Sequence, residues 1–280
     1  MRILVTGGSG VVGRPVVNYL SGDNDVTVLD IVEPKDPGVA FVRGDVLDFE
    51  SMKKLVNDYD AVAHLAGIPY PPKDAYEKTF RLNVMGTFNV LDACAVNGIR
   101  QVVFTSTDST IGLQYGKRTA RAAYLPLDED HPAVPEDAYG LSKLVCEEMC
   151  RSYARGHGMN ITVLRPVWVW GKNENVAAYR KSIEHPEEWP QGLWSYIHDL
   201  DVARAVEAGL RAKWESGCEV FFIAAANNGT RFPTRELISR FIPEVTDLRA
   251  PLENHDSLIN TAKAKRMLGW QPEHTWEEIV

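Results

Sequence analysis

The chain reads as an α/β protein, a doubly wound parallel sheet covered by helices on both faces, with a small lobe toward its C-terminal end. Three observations predict this. Short apolar runs alternate with amphipathic segments through the first two-thirds of the 280 residues, and such alternation specifies parallel strands joined by right-handed crossovers. A glycine-rich turn, Thr6-Gly7-Gly8-Ser9-Gly10-Val11-Val12-Gly13, lies between the first apolar run and the first amphipathic one. The predicted strands end in small, acidic or hydroxyl residues, on the edge where doubly wound folds place ligands.

Taken in order, the strands are expected at 2–5, 26–30, 39–43, 61–65, 101–106 and 161–165, and the helices at 11–21, 50–57, 74–97, 137–157 and 199–214. Cys218 to Ala225 is a further apolar run, read as a late strand returning to the sheet. The segments 170–195 and 228–280 are richer in Trp, Pro, Asn and charge. They divide the chain into a main sheet domain over 1–169, rejoined by 196–227, and a small lobe built from 170–195 and 228–280.

Bulk properties narrow the function. The composition, with 45% hydrophobic and 24% charged residues, is that of an ordinary globular protein. A net charge of −8 argues against non-specific nucleic-acid or acidic-membrane binding, which requires basic surface. Cys94, Cys146, Cys150 and Cys218 form no disulfide framework. Cys146 and Cys150 lie four apart on an expected helix, without companion ligands, and read as packing residues; no metal site is assigned. The absence of a long apolar run and the immediate first strand lead us to expect a cytoplasmic protein.

The glycine turn carries the first chemistry. Preceded by the buried run Arg2–Val5 and followed by Pro15–Leu20, it is the strand–turn–helix of a phosphate site. Glycines allow a tight turn and close approach to a pyrophosphate, and the helix N-terminus presents free N–H groups and partial positive charge. Two spacings overlap: Gly8, Gly10 and Gly13, or Gly7, Gly10 and Gly13. Asp30 ends the next strand, 17 residues past Gly13. A carboxylate there accepts hydrogen bonds from the ribose hydroxyls and repels an added phosphate, so NAD is expected over NADP. Asp45, in Gly44-Asp45-Val46, ends another strand, and Leu65-Ala66-Gly67 supplies small residues against which a flat ring can lie. His64, inside that run, reads as a packed residue.

The catalytic signal is Tyr139-Gly140-Leu141-Ser142-Lys143. Tyr139 and Lys143, four apart on a helix, project from one face. A phenol has a pKa of about 10, and lowering it to neutrality takes about 4 kcal/mol of differential stabilisation; a nearby ammonium supplies part of that. The phenolate can then take a proton from a substrate hydroxyl. Upstream, Val102–Phe104 runs into Thr105-Ser106-Thr107-Asp108-Ser109-Thr110, hydroxyls placed at a strand end to bind a substrate oxygen.

With these segments in this order, nearly the whole chain resembles the extended short-chain dehydrogenase/reductase family, the NAD-dependent epimerases and dehydratases. Asn83-Val84-Met85-Gly86-Thr87, Leu164-Arg165-Pro166, Tyr196-Ile197-His198 with Asp201-Val202-Ala203, and Lys263–Trp270 add to the likeness. The resemblance implies a Rossmann-like fold with Gly7, Gly10, Val11, Val12, Gly13, Asp30, Asp45, Val46, Leu65, Ala66, Gly67, Asn83, Thr105 and Pro166 about NAD. It implies Thr107, Tyr139 and Lys143 as catalytic residues, with Ser106 the rival to Thr107 and Lys143 also holding the ribose. Ser106, Thr107 and Asp108 then face substrate. Trp168, with Trp170, Trp194 and Tyr196, is a candidate for a sugar pocket or for packing, and Arg249 for a phosphate or plain surface. A homodimer through the helices near 80–97 and 137–157 is also implied.

One segment departs from the family pattern. Members acting on nucleotide-sugars carry a longer insertion before the Tyr-Ile-His segment, whereas Gly171 to Ser195, which holds Asn173, Asn175, Tyr179, Arg180 and Trp189, is only 25 residues. Uronate dehydrogenases of this family share the short lobe and the Ile111-Gly112 pair. Three readings follow: an epimerase or dehydratase that returns its hydride, a net dehydrogenase of a small sugar or uronic acid, and a catalytically silent dinucleotide sensor. The Tyr139/Lys143 pair weighs against the third.

Overall fold

A computed structural model describes residues 1–35, 38–70, 75–116, 121–172 and 175–280. Seven strands form one parallel sheet: β1 (Arg2–Thr6), β2 (Asp25–Asp30), β3 (Ala40–Arg43), β4 (Ala61–His64), β5 (Gln101–Thr105), β6 (Asn160–Pro166) and β9 (Cys218–Ile223), in the order β3-β2-β1-β4-β5-β6-β9. The order reverses between β1 and β4. That switch point opens a crevice at the carboxyl ends of the strands.

Residue alternation along each strand divides the core in two. Ile3 and Val5 of β1, with Val26 and Val28 of β2, pack against α1 (Gly13–Leu20) and α6 (Asp199–Arg211). Leu4, Leu29, Val62 and Phe104 face the opposite layer of α2 (Phe49–Leu55), α3 (Tyr76–Val96) and α4 (Ala138–His157). Buried on both faces, the strands read as near-continuous apolar runs, as parallel sheets require.

The expected doubly wound sheet is present, with element ends shifted by a few residues. Helix α1 begins at Gly13 rather than at 11, because Gly10–Val12 stay in the turn. Helix α6 stops at Arg211, and 212–214 leave it. The expected start of α3 at 74 lies outside the described residues. Five further elements come from segments with no clear periodicity: β7 (Trp168–Trp170), α5 (Val176–Glu184), β8 (Tyr196–His198), α7 (Thr234–Phe241) and α8 (Ala262–Leu268). Strands β7 and β8 pair in parallel as a separate ribbon, with Trp170 opposite His198. Side chains of these late elements, among them Tyr179, Leu237 and Ala264, join the same apolar core as the α1/α6 face.

Candidate active site

The crevice begins at the glycine turn. Gly7 has φ +74°, and a Cβ there would lie 2.6 Å from the Ala66 backbone, so only glycine lets β1 and β4 end this close together. Gly13 is equally constrained, with a Cβ 2.2 Å from the Gly7 carbonyl. Gly10 meets nothing nearer than that carbonyl at 3.3 Å, which leaves the outer side of the turn as bare backbone. Gly8 is more than the extra small residue that the Gly7/Gly10/Gly13 spacing suggests: a Cβ there would press on both Val28 methyls, at 2.8 and 2.9 Å. Helix α1 has no side-chain N-cap; Arg14 N is taken by the Gly10 carbonyl and Pro15 has no N–H, so the N-terminal turn keeps its Gly13 end for a ligand, as at phosphate sites.

Asp30, at the end of β2, accepts hydrogen bonds from Ser9 N (3.1 Å) and Val32 N (3.1 Å). This fixes its carboxylate beside the turn. Asp45 is exposed and accepts from Leu47 N, while Val46 is buried and packs so closely on Gly86 that a Cβ there would be 2.8 Å away. Leu65 and Ala66 are half-buried and Gly67 is exposed at the end of β4. Asn83 Oδ1 accepts from Ile68 N (2.8 Å) and its amide donates to Ser142 Oγ (2.9 Å), joining the β4 loop to α4. Val11 is exposed, Val12 half-buried and Pro166 buried at the end of β6. These groups fit a dinucleotide: bare backbone at the turn, a carboxylate at the β2 end, and small residues opposite.

His64 is buried between Thr6 Oγ1 (2.7 Å) and Thr87 Oγ1 (3.1 Å), and burial lowers its pKa to about 3. It is a neutral packing residue. Cys146 and Cys150 are also buried, and burial pushes both thiols up.

The residues expected to transfer the proton assemble where β5 meets α4. Asp137 caps the helix by accepting from Tyr139 N and Gly140 N, both at 2.9 Å. The Tyr139 side chain is thereby set at the first turn, buried, with the Thr107 side chain near its hydroxyl. Thr107 also accepts from Ser109 N (3.2 Å) and lies 3.1 Å from Asp108 Oδ1. Tyr115 packs edge-on against the Tyr139 ring. Burial raises the Tyr139 pKa; the neighbouring Thr107 side chain opposes this, and Asp108 adds to it. The Asp108 carboxyl, half-buried, is itself pushed up to about 6 by desolvation. Lys143 Nζ donates to the Thr105 carbonyl (2.8 Å) and sits over the Phe104 ring, and burial lowers its pKa.

Ser106 lies apart from that group. Its hydroxyl donates to Glu147 Oε1 (2.7 Å), and Glu147 in turn takes Arg165 Nε (2.8 Å) and Nη2 (2.7 Å) in a buried bidentate pair. Neither Glu147 nor Asp137 had been singled out from the sequence. The available signals were an acid one turn beyond Lys143 and an Asp immediately before a helix. Tyr115 gave no signal.

The remaining candidates are drawn elsewhere. Trp168 is half-buried, edge-on to Trp170, Tyr179 and Trp189. Trp170 stacks on Tyr179 at 4.7 Å, and Trp194 and Tyr196 are fully buried, so these rings form core rather than an open sugar platform. Arg249 is paired with Asp247 and lies 3.3 Å above the Tyr124 ring. Asn173 lies outside the described residues.

Fold and crevice together fit a dinucleotide-dependent enzyme, with Tyr139, Thr107 and Lys143 gathered at the β5 end. The model of the NAD-dependent epimerase/dehydratase family matches residues 3–221. The chain belongs to that family, and its cofactor is NAD. It is 32% identical to an L-arabinose 1-dehydrogenase (NAD(P)(+)) of Haloferax volcanii over 216 residues, 75% of this chain and 84% of that protein. It is 27% identical to a UDP-glucose 4-epimerase of Corynebacterium glutamicum over 311 residues, 98% and 92%. Its fold superposes on a UDP-N-acetylglucosamine 4-epimerase of Bacillus cereus with TM-score 0.72 at 25% identity, covering 100% and 96%. The relatives include an epimerase and a dehydrogenase, and the chain is a sugar-modifying enzyme of this family. No helix among the described residues is long and apolar enough to cross a membrane.

Proposed function

We propose that the chain oxidises a sugar hydroxyl with Tyr139 as general base, and that Thr107 positions the reacting oxygen. The observation that carries this reading is the convergence at the β5 end of the buried, Asp137-capped Tyr139, of Thr107 beside it and of Lys143 held on the Thr105 carbonyl. A substrate hydroxyl placed against both oxygens gives its proton to the phenolate as the hydrogen on its carbon leaves with its electron pair. Bound NAD supplies the acceptor of that pair and a positive ring charge.

The chain's own contribution is to prepare the base. Burial disfavours the phenolate, so the neighbouring Thr107 side chain and a nearby positive charge must compensate. Lys143, held on the Thr105 carbonyl, supports this in the reading as a fixed charge at the β5 end and as a ribose ligand. Gly7, Gly10 and Gly13 hold the pyrophosphate, and Asp30 the adenosine ribose. The Asp108 carboxyl, beside Thr107, accepts hydrogen bonds from further substrate hydroxyls.

Net oxidation of a small, unactivated sugar is favoured over epimerisation of a nucleotide-sugar. The 311 aligned positions of the Corynebacterium epimerase exceed the 280 residues of this chain, so that relative carries segments with no counterpart here. Only 25 residues, Gly171–Ser195, stand where a nucleotide would be held. A homodimer remains part of the reading, supported by exposed Met85 and Val96 on α3 and Leu141 on α4.

The test supplies purified protein and NAD with pentoses, hexoses, uronates and UDP-sugars. Reduced cofactor should accumulate with a free sugar and should vanish in Tyr139→Phe. Conversion of a UDP-sugar without reduced cofactor overturns the dehydrogenase reading. Full turnover by Tyr139→Phe overturns the mechanism.

A further inference from the structure

Away from the crevice, the C-terminal tail crosses the junction of β8 and α6 and brings together two imidazoles and a carboxylate. Donor atoms of His198, His274 and Glu278 all lie within 4.8 Å of one another. His274 Nδ1 is 2.9 Å from Glu278 Oε2, and the two imidazole rings face each other with centroids 4.8 Å apart. We propose that these three side chains form a binding site for one divalent transition-metal ion of the zinc class, which pins the tail to the sheet ribbon.

The donor set is the first argument. Two imidazoles and one carboxylate, with a water completing the shell, suit zinc and its neighbours rather than magnesium or calcium. Bonds of about 2.0–2.2 Å place tetrahedral ligand atoms about 3.3–3.5 Å apart. One pair here is already inside that distance. The other two pairs, both within 4.8 Å, involve His198, so closure needs the His274 and Glu278 side chains to move together toward it as the metal replaces their hydrogen bond.

The second argument is how firmly the donors are held. His198 ends β8, and its Nδ1 lies 3.0 Å from Asp199 Oδ1 and 3.1 Å from Leu200 N. In this structure that Nδ1 accepts from Leu200 N; with a metal on Nε2 the proton would move to Nδ1 and be donated to Asp199, a carboxylate being the usual orienting partner of a metal-bound imidazole. The buried Asp201 carboxylate fixes the His274 backbone, accepting from His274 N (2.9 Å) and from Glu273 N (3.0 and 3.1 Å), while Arg204 bonds both Asp201 and Glu273. Glu278 Oε1 accepts from Thr275 N (3.0 Å) in a capping box, which aims Oε2 at His274. Each ligand thus has its own support.

The proposal is independent of the reaction assigned to the crevice, and its test uses zinc itself. Chelator-stripped full-length protein is titrated with ZnCl2 by calorimetry, and its thermal unfolding is followed with and without zinc. We expect one zinc per chain and a Tm that rises with zinc concentration, since a ligand of the folded state alone stabilises it. His274→Gln and Glu278→Gln should each weaken binding by about 10-fold or more, and the double variant should lose both stoichiometric binding and the Tm rise. The four cysteines remain in every variant, so thiol binding appears equally in all of them. His274 and Glu278 lie at the surface side of the tail, and the metal-free Tm of each variant reports whether it folds. Equal zinc binding by wild type and double variant, or none by wild type, overturns the proposal.

Discussion

Ser106→Ala and Thr107→Ala, truncations one residue apart, should separate folding from chemistry. Ser106 gives a single charge-assisted hydrogen bond to Glu147, which keeps both Arg165 contacts after the change. Losing such a bond costs about 1.5–3 kcal/mol. At about 2–4 °C per kcal/mol for a chain near this size, Tm should fall by roughly 3–12 °C, with kcat nearly unchanged. Thr107→Ala instead removes the hydroxyl beside Tyr139 and the acceptor for Ser109 N. The lost cap costs about 0.5–2 kcal/mol of stability. Loss of the group that positions proton transfer should lower kcat about 100-fold or more, a barrier rise of about 2.7 kcal/mol. Thr107→Ser should recover most of it. The assay is cofactor reduction at saturating NAD, read beside thermal unfolding of each variant. If Ser106→Ala lost turnover 100-fold while Thr107→Ala kept it, the assignment of the two hydroxyls would be reversed.

Three further outcomes follow from the same geometry. Gly8→Ala should cost about 1–3 kcal/mol by overpacking against Val28, and Val28→Ala in the same chain should recover part of it in urea unfolding. His64 is held near a pKa of about 3 in the folded chain against 6.5 free. Its stabilising contribution is therefore complete above pH 6.5 and is lost as pH falls toward 3, up to about 5 kcal/mol in all; His64→Gln should flatten that decline in unfolding curves taken across the range. Asp30→Ala should raise KM for NAD about 10-fold, the loss of roughly one charge-assisted hydrogen bond, and narrow the preference for NAD over NADP; an unchanged ratio of the two KM values would remove Asp30 from the ribose site.

The sheet was legible because both of its signals are local. Val26–Asp30 and Ala61–His64 are short apolar runs bounded by turn residues, and the helices between them carry apolar spacing of their own. Tyr139 and Lys143 were legible for the same reason, since four residues on a helix fix a common face. What failed to show depends on contacts across long separations. Sequence leaves Trp170 and Tyr196 open between a sugar pocket and packing, and the pairing of β7 with β8 makes both core, while Trp168 stays half-buried beside them. Ser106 and Thr107 are both hydroxyls at one strand end, and only the partner on α4 distinguishes them. Gly8 looked spare because its constraint is Val28, 20 positions away. His198 and His274 are 76 positions apart, beyond the reach of any spacing rule.

The Glu147–Arg165 pair touches no part of the proposed reaction, but it joins three elements at one carboxylate: β5 through Ser106, α4 through Glu147, and β6 through Arg165. Thr107 is the next residue beyond Ser106, Tyr139 lies two helical turns before Glu147, and Pro166 follows Arg165. Hydroxyl, phenol and the β6 edge of the crevice are therefore all measured from one common origin. An error in the spacing of any two of them would have to stretch a buried ion pair. The tolerance of the chemistry is set by a joint that the substrate never meets.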